Sequence, residues 1–247
     1  MIPKKIYYAW FGGNELPEDV KINIASWKKY NPDYEIIQIN ESTLDLFNYQ
    51  DYQFSKDAYK EKKWAFVSDV ARLSAVYHNG GIYLDTDVKV LKSFDDLLNF
   101  PEIWAKENSY TINSGLFIAS EVHSKNIKNI LEIYKSLEFN EDNLAKISTV
   151  TIISKYFWEK GLQTDNKKIQ YIENSVVYPT HFFAPIHYWG GGKVTKYAYT
   201  IHQYSASWLT MHHGFKESLR NIIRWMFNQL VLNNRVIGYV VAMIKYK

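Results

Sequence analysis

Residues 64–87, WAFVSDVARLSAVYHNGGIYLDTD, restrict the fold of this chain more tightly than any other stretch. Phe66, Val70, Leu73 and Tyr77 recur at helical spacing, so Trp64 to Tyr77 reads as a helix with one buried stripe. Asn79-Gly80-Gly81 supplies the left-handed residue that stops it. Ile82 to Leu84 and Val88 to Leu91 read as short extended segments flanking Asp85-Thr86-Asp87. A helix that turns sharply into an apolar strand ending on two carboxylates is a unit of α/β architecture.

The flanking sequence extends that unit. Lys4 to Phe11 reads as a strand ending at Gly12-Gly13, Pro17 to Tyr30 as a helix facing inward with Val20, Ile24 and Trp27, and Tyr34 to Ile39 as a second strand. Strand, helix, strand at this spacing opens an α/β fold with a mainly parallel mixed sheet. Lys56 to Lys63 reads as helix or loop, Ser114 to Ala119 as a buried strand, His123 to Leu137 and Thr149 to Lys160 as helices. Ile169 to Ile172, Val176 to Tyr178 and Ala198 to His202 are short strands, and Gly190-Gly191-Gly192 reads as a mobile loop. The expected organisation is one α/β domain over residues 1–214 and a helical appendage over 215–247. Ligands of such sheets bind outside the carboxyl ends of the strands, where Gly12-Gly13 and Asp85 to Asp87 both fall.

Composition narrows the function classes. With no cysteine there is no disulfide framework, thiolate metal site or cysteine nucleophile. The N-terminus, MIPKKIYYAWFGG, reads as a first strand and not as a signal peptide, and no window has the 18 apolar residues of a membrane span. The expected location is cytoplasmic. A net charge of +3 is too small to argue for nucleic acid. Six Lys and Arg against Glu217 alone give residues 215–247 a charge of +5. Leu219, Ile222, Ile223, Met226 and Leu230 form one face there, with Arg220 and Arg224 off it. Such a basic amphipathic helix can lie on the inner face of an anionic membrane, or pack on the domain or in a dimer. The 17% aromatic content suits stacking on bases and sugars as well as a tyrosine-rich core.

Several side chains can carry chemistry. Asp85 and Asp87, two apart in extended chain, point to one side and offer hard oxygen donors to Mg²⁺ or Mn²⁺; a solvated acidic turn has the same pattern. Asp69 and Arg72 share a helix flank beside the buried stripe, as a salt bridge or as a pair gripping hydroxyls. Trp10 ends the first strand, as a stacking ring or as core. Asn113 stands before SGLFIAS, within reach of a sugar hydroxyl or as the start of a turn. His202 in YTIHQYSASW is a candidate third ligand or a structural histidine, and Ser207 and Trp208 close that segment. No G-x-S-x-G elbow, P-loop, H-E-x-x-H or G-x-G-x-x-G is present, and His212-His213 reads as surface.

Taken together, IPKKIYYAWFGG, WAFVSDVARLSAVYHNGGIYLDTDV and IHQYSASW resemble glycosyltransferase family 32, the DXD-motif sugar transferases of capsule and surface-polysaccharide synthesis. The glucosylating domains of large clostridial toxins and yeast initiating mannosyltransferases are similar at the middle block. The resemblance spans about residues 2–95 and 198–208, and residues 140–197 match nothing in it. It implies a GT-A fold, a divalent cation (Mn²⁺ or Mg²⁺), a nucleotide-sugar donor of UDP type and retention of anomeric configuration. It further implies a glycan acceptor, lipid-linked where synthesis runs at the membrane.

Position by position, Trp10 resembles the base-stacking tryptophan, and Asp69 and Arg72 the donor-sugar contacts, with Ser68 and Tyr83 near ribose or sugar. Asp85 would meet ribose or metal, Asp87 would ligate the metal and His202 would close that site. Ser207 and Trp208 would cover the diphosphate, and Asn113 is a looser match. His202-Gln203 departs from the His pair common in relatives. The other readings open at this point are an idle sugar- or nucleotide-binding protein, a donor hydrolase, and a toxin-like protein glycosyltransferase.

Overall fold

The computed structural model describes residues 1–188, 190–204 and 223–246. Nine strands build it: β1 (Lys5–Ala9), β2 (Glu35–Ile39), β3 (Gly81–Tyr83), β4 (Val88–Val90), β5 (Glu102–Ala105), β6 (Ile118–Ser120), β7 (Gln170–Ile172), β8 (Ser175–Tyr178) and β9 (Thr200–His202). Seven form one sheet in the order β2-β1-β3-β6-β5-β8-β7, and β4 pairs with β9 apart from it. The sheet is mixed. Its parallel part is β2-β1-β3, with a second parallel pair in β5 and β8, while β6 runs antiparallel to both β3 and β5.

Helices α1 (Glu18–Tyr30), α2 (Gln53–Lys60), α3 (Trp64–Asn79), α4 (Lys125–Lys135), α5 (Leu144–Ile147), α6 (Thr149–Glu159), α7 (Thr180–Phe183) and α8 (Arg235–Tyr246) surround the sheet. Strand alternation divides the core between two faces. Tyr7, Ala9 and Tyr83 join the cluster under α2, α3, α4 and α6. Ile6, Tyr8, Ile82 and Leu84 join the one that holds Trp27 of α1.

The expected opening of strand, helix, strand is present within a residue or two. Helix α3 runs two residues beyond Tyr77 and is buried beyond one stripe: Val70 to Val76 are all buried, Arg72 among them, while Phe66 and Tyr77 are half-buried at its rim. Gly80 ends it with φ +62°, and a Cβ there would stand 2.8 Å from Pro3. One expectation changes and one strand is new. The strand expected from Ser114 begins only at Ile118, because Asn113 Oδ1 accepts from the Gly115 N–H at 2.8 Å and turns the chain. Strand β5 was not legible at all.

The glycine run 190–192 is held in a turn: the Gly190 N–H donates to the His187 carbonyl at 2.8 Å and the His187 N–H to the Gly191 carbonyl at 3.0 Å. Residues 223–232 are helical, with a π-helical last turn at Asn228–Leu232. They join the body through the Ser109 N–H to the Leu232 carbonyl at 2.9 Å, and α8 through the Thr164 hydroxyl to the Arg235 carbonyl at 2.7 Å. Gly238, Ala242 and Tyr246, spaced four apart, are the buried face of α8.

Candidate active site

The site grows from α3 and β3. Tyr83 points to the α3 side of the sheet, and its hydroxyl donates to Asp85 Oδ1 at 3.1 Å. From α3, Arg72 reaches the same oxygen through Nη2 at 3.0 Å and Asp69 Oδ1 at 3.2 Å. Its Nη1 donates to Ser114 Oγ at 3.3 Å, its Nε to the Ser68 carbonyl at 3.3 Å, and its guanidinium stands 4.9 Å over the Tyr83 ring. The i,i+3 pair therefore exists, but it is no surface salt bridge. Arg72 is 5% exposed and bridges two carboxylates. A buried guanidinium needs such partners, since one left alone in a low dielectric is costly.

Asp69 is fixed from its other side. Thr149, the first residue of α6, gives its carboxylate both a backbone N–H and a hydroxyl hydrogen bond, as favours an anion at a helix N-terminus. The Thr149 hydroxyl also meets that of Tyr134 at 2.9 Å. Burial pushes the Asp69 carboxyl above its ordinary range, against the pull of Arg72 and Thr149.

Gly115 makes room for the arrangement. A Cβ there would lie 1.9 Å from Asp85 Oδ2 and 3.0 Å from Arg72 Nη1. Its carbonyl also accepts the Asp85 N–H at 2.9 Å.

Asp85 and Asp87 converge through a turn and not through strand pleating. The Val88 N–H donates to the Asp85 carbonyl at 3.0 Å, and Thr86-Asp87 form the turn between β3 and β4. Strand β9 then supplies the third group. Val88 pairs with His202, and the Gln203 N–H donates to the Asp87 carbonyl at 2.9 Å. This register brings His202 Nε2 to 3.0 Å from Asp87 Oδ1. Helix α1 supports the β4–β9 pair from behind: Asn23 Nδ2 donates to the Thr86 carbonyl at 3.0 Å and to Gln203 Oε1 at 3.2 Å, and Trp27 Nε1 to the Val88 carbonyl at 2.7 Å.

Ligand atoms of Asp85, Asp87 and His202 all lie within 4.8 Å of one another. Two carboxylates and an imidazole are a donor set suited to a divalent cation. Burial alone would lower the His202 pKa, but Asp87, Asp85 and Glu107 together raise it. The pocket of carboxylates thus favours positive charge at its centre, which is what a cation site requires.

The remaining predicted residues are placed less directly. Trp10 lies just beyond the carboxyl end of β1 and packs partly on the α1-side core, its Nε1 donating to the Asn14 carbonyl at 2.8 Å. Ser68 bonds back to the Trp64 carbonyl at 2.9 Å within α3. Asn113 starts a turn, and its Nδ2 donates to Glu107 Oε1 at 3.2 Å. Ser207, Trp208 and His212-His213 lie outside the described residues.

Four contributors were not anticipated: Glu107, Ser114, Gly115 and Thr149. Burial raises the Glu107 carboxyl, opposed by His202, Asn113 and Lys245. Glu107, half-buried, is thus electrostatically coupled to His202 on one side and to Lys245 of α8 on the other. The order Asn-Ser-Gly is the one local mark of Gly115, and nothing local marks Thr149.

Comparison with known proteins gives similarities in sequence and in fold. Residues 17–108 match the family model of the glycosyltransferase sugar-binding region containing the DXD motif. The chain is 33% identical over 109 residues to inositol phosphoceramide mannosyltransferase 3 of Schizosaccharomyces pombe, covering 44% of this chain and 30% of that protein. It is 25% identical over 144 residues to mannosyl phosphorylinositol ceramide synthase CSH1 of Saccharomyces cerevisiae, covering 58% of this chain and 37% of that protein. The matches thus span about a third of the length of these curated relatives. Among solved structures, the PaToxG glycosyltransferase superposes with a TM-score of 0.53 at 22% identity, over 65% of this chain and 69% of that one. The fold is the α/β fold of that glycosyltransferase, consistent with the GT-A type.

Proposed function

We propose that the chain is a metal-dependent, retaining glycosyltransferase of family 32. It would move a hexose or N-acetylhexosamine from a nucleotide-sugar of UDP type to a surface-polysaccharide acceptor carried on a lipid. The observation that carries this reading is the convergence of Asp85, Asp87 and His202 within 4.8 Å beside the Asp69–Arg72 pair. Mannosyl transfer to inositol phosphoceramide, in the names of the relatives, supports a hexose donor and a lipid-borne acceptor.

Asp85, Asp87 and His202 would hold Mn²⁺, or Mg²⁺, which when bound supplies Lewis-acid neutralisation of the diphosphate oxygens. Arg72 and Asp69 orient the donor sugar at the edge of the same cluster. Trp10 stacks on the base, Ser68 and Tyr83 contact ribose or sugar, Asn113 a sugar hydroxyl, and Ser207 with Trp208 cover the diphosphate. As the bond from the anomeric carbon to the diphosphate oxygen breaks, the acceptor oxygen attacks from the same face and its proton passes to the leaving phosphate. Asp69, the alternative nucleophile, is already engaged by Arg72 and Thr149, which favours same-face attack. A glycosyl adduct trapped on Asp69 would overturn that route.

The tail supports work at the cytoplasmic face of an anionic membrane. Leu230 is 62% exposed, Val236 70% and Ile244 77%, and Trp225, Met226 and Tyr239 are also exposed, while α8 carries Arg235 and Lys245. Apolar and basic residues together are the signature of interfacial helices. No helix among the described residues is long and apolar enough to cross a membrane. Truncation after residue 214 should abolish binding to phosphatidylglycerol vesicles, and undiminished binding would refute the membrane role. A panel of nucleotide-sugars assayed for thermal shift and turnover with and without Mn²⁺ tests the enzymatic reading. A shift without turnover points to an idle binder.

A further inference from the structure

A second concave site lies between the tail and the body, with a volume of about 700 Å³, in the range of sites for small molecules. The body contributes the loop before β7, helix α7, and Pro185, His187, Gly192 and Lys193. The tail contributes Trp225, Gln229 and the start of α8.

Its charge is one-sided. Lys167, Lys193 and Arg235 line it against a single carboxylate, Asp165, whose Oδ1 accepts the Lys167 backbone N–H at 2.8 Å. None of the three cations forms an ion pair among the described residues. The first turn of α8 also faces this space, where a helix N-terminus adds positive potential.

The rest of the lining is suited to hydroxyls. Asn166 is buried and preorganised, its Nδ2 donating to Thr180 Oγ1 at 2.9 Å and to Asn233 Oδ1 at 2.8 Å. The Asn233 amide lies 3.5 Å from His187 Nε2, and the buried His187 Nδ1 has no hydrogen-bond partner. Trp225, 45% exposed, offers the apolar ring that sugar faces stack on. A bare inorganic anion would need neither this ring, these carboxamides nor this volume.

The site also adjoins the catalytic cluster. His187 precedes Tyr188, whose ring lies 6.1 Å from that of Tyr204, and Tyr204 packs edge-on at 4.1 Å against His202. The chain just after His187 is thus linked to His202 through the Tyr188 and Tyr204 rings.

We propose that this pocket binds an acidic sugar unit of the acceptor glycan, with Lys167, Lys193 and Arg235 taking its anionic substituent, Asn233 and Gln229 reading its hydroxyls, and Asn166 holding Asn233 in place. The word acceptor rests on the glycosyltransferase reading. The pocket itself does not.

Isothermal titration of the full chain tests it with four probes: a glucuronosyl-N-acetylgalactosamine disaccharide, its neutral galactosyl counterpart, glucose 6-phosphate and inorganic phosphate. The acidic disaccharide or the sugar phosphate should bind saturably, the neutral disaccharide and inorganic phosphate about tenfold or more weakly. Which acidic probe wins identifies the anion. The double substitution Lys167→Ala/Lys193→Ala, at two exposed positions, should weaken that binding by about tenfold or more, since each charged hydrogen bond is worth over ~1 kcal/mol. Equal binding of acidic and neutral sugars, binding of inorganic phosphate as tight as that of the sugars, no binding at all, or an affinity unmoved by the substitutions would each overturn the proposal. A parallel titration with nucleotide-sugar and Mn²⁺ keeps the two readings apart. Acidic-sugar binding without donor binding would leave the pocket and remove the transferase, and the reverse would remove the pocket alone.

Discussion

Around Asp85 each charged side chain has a partner of opposite sign at 3.0 to 3.2 Å, whereas around His187 three cations face a space with one carboxylate. The first region is finished before any ligand arrives. Arg72 and His202 are buried and their carboxylate partners half-buried, so the fold pairs them, and pairing fixes their geometry. The second region is open, its cations are exposed, and water satisfies them until a ligand does. The first arrangement suits chemistry that tolerates little displacement, and the second suits recognition of a variable partner.

The contrast can be broken by substitution. The largest effect is expected from Asp87→Ala, which removes a proposed cation ligand and the 3.0 Å partner of His202. Turnover should fall ~10³-fold or more, as loss of several kcal/mol of charge stabilisation implies, and the Mn²⁺-dependent thermal shift should vanish. Arg72→Met leaves Asp69 and Asp85, both half-buried, without their cation. It should lower unfolding free energy by about 3–5 kcal/mol in urea titration. A loss below ~1 kcal/mol would mean the pair behaves like a surface bridge.

Gly115→Ala sharpens the point about finished geometry. Its Cβ must displace Asp85 Oδ2 from 1.9 Å, and a displacement near 1 Å costs ~10²-fold in rate. Steady-state rates equal to those of the unchanged protein would show that Asp85 need not sit where it does.

The smallest effect belongs to the open region. Burial lowers the His187 pKa to about 4, from an ordinary value of 6.5. The unfolded chain therefore takes up this proton first as pH falls, and stability present above about pH 6.5 is lost toward pH 4. Between pH 7 and pH 5 the loss should be about 2 kcal/mol, read as the difference in pH dependence between the unchanged protein and His187→Phe. Parallel stability curves for the two would contradict it.

The same contrast governs what the sequence reveals. Asp69, Arg72, Tyr83, Asp85 and Asp87 lie in one helix–turn–strand unit, so local periodicity and a Gly-Gly stop bring them together. His202 is distant in sequence, and only the pairing of β9 with β4 delivers it. Gly115 and Thr149 act through a missing side chain and a helix start that meet α3 and β3 only after the sheet has formed. Strand β5 escaped notice because EIWA is four residues buried on both faces, with no alternation to mark it. The pocket at His187 draws on three separated segments, none with a pattern of its own. The tail's apolar residues were visible as a helical face. That Ile223, Met226 and Leu230 point away from the body is knowable only from what packs beneath.

The central claim is that Asp85, Asp87 and His202 form a cation-dependent nucleotide-sugar site. Calorimetric titration of the chain with UDP-sugars, in Mn²⁺ and again in EDTA, tests it most directly. The account predicts saturable binding that requires the metal and disappears in Asp87→Ala. Binding that is equally tight in EDTA, or no binding of any nucleotide-sugar in Mn²⁺, would contradict it.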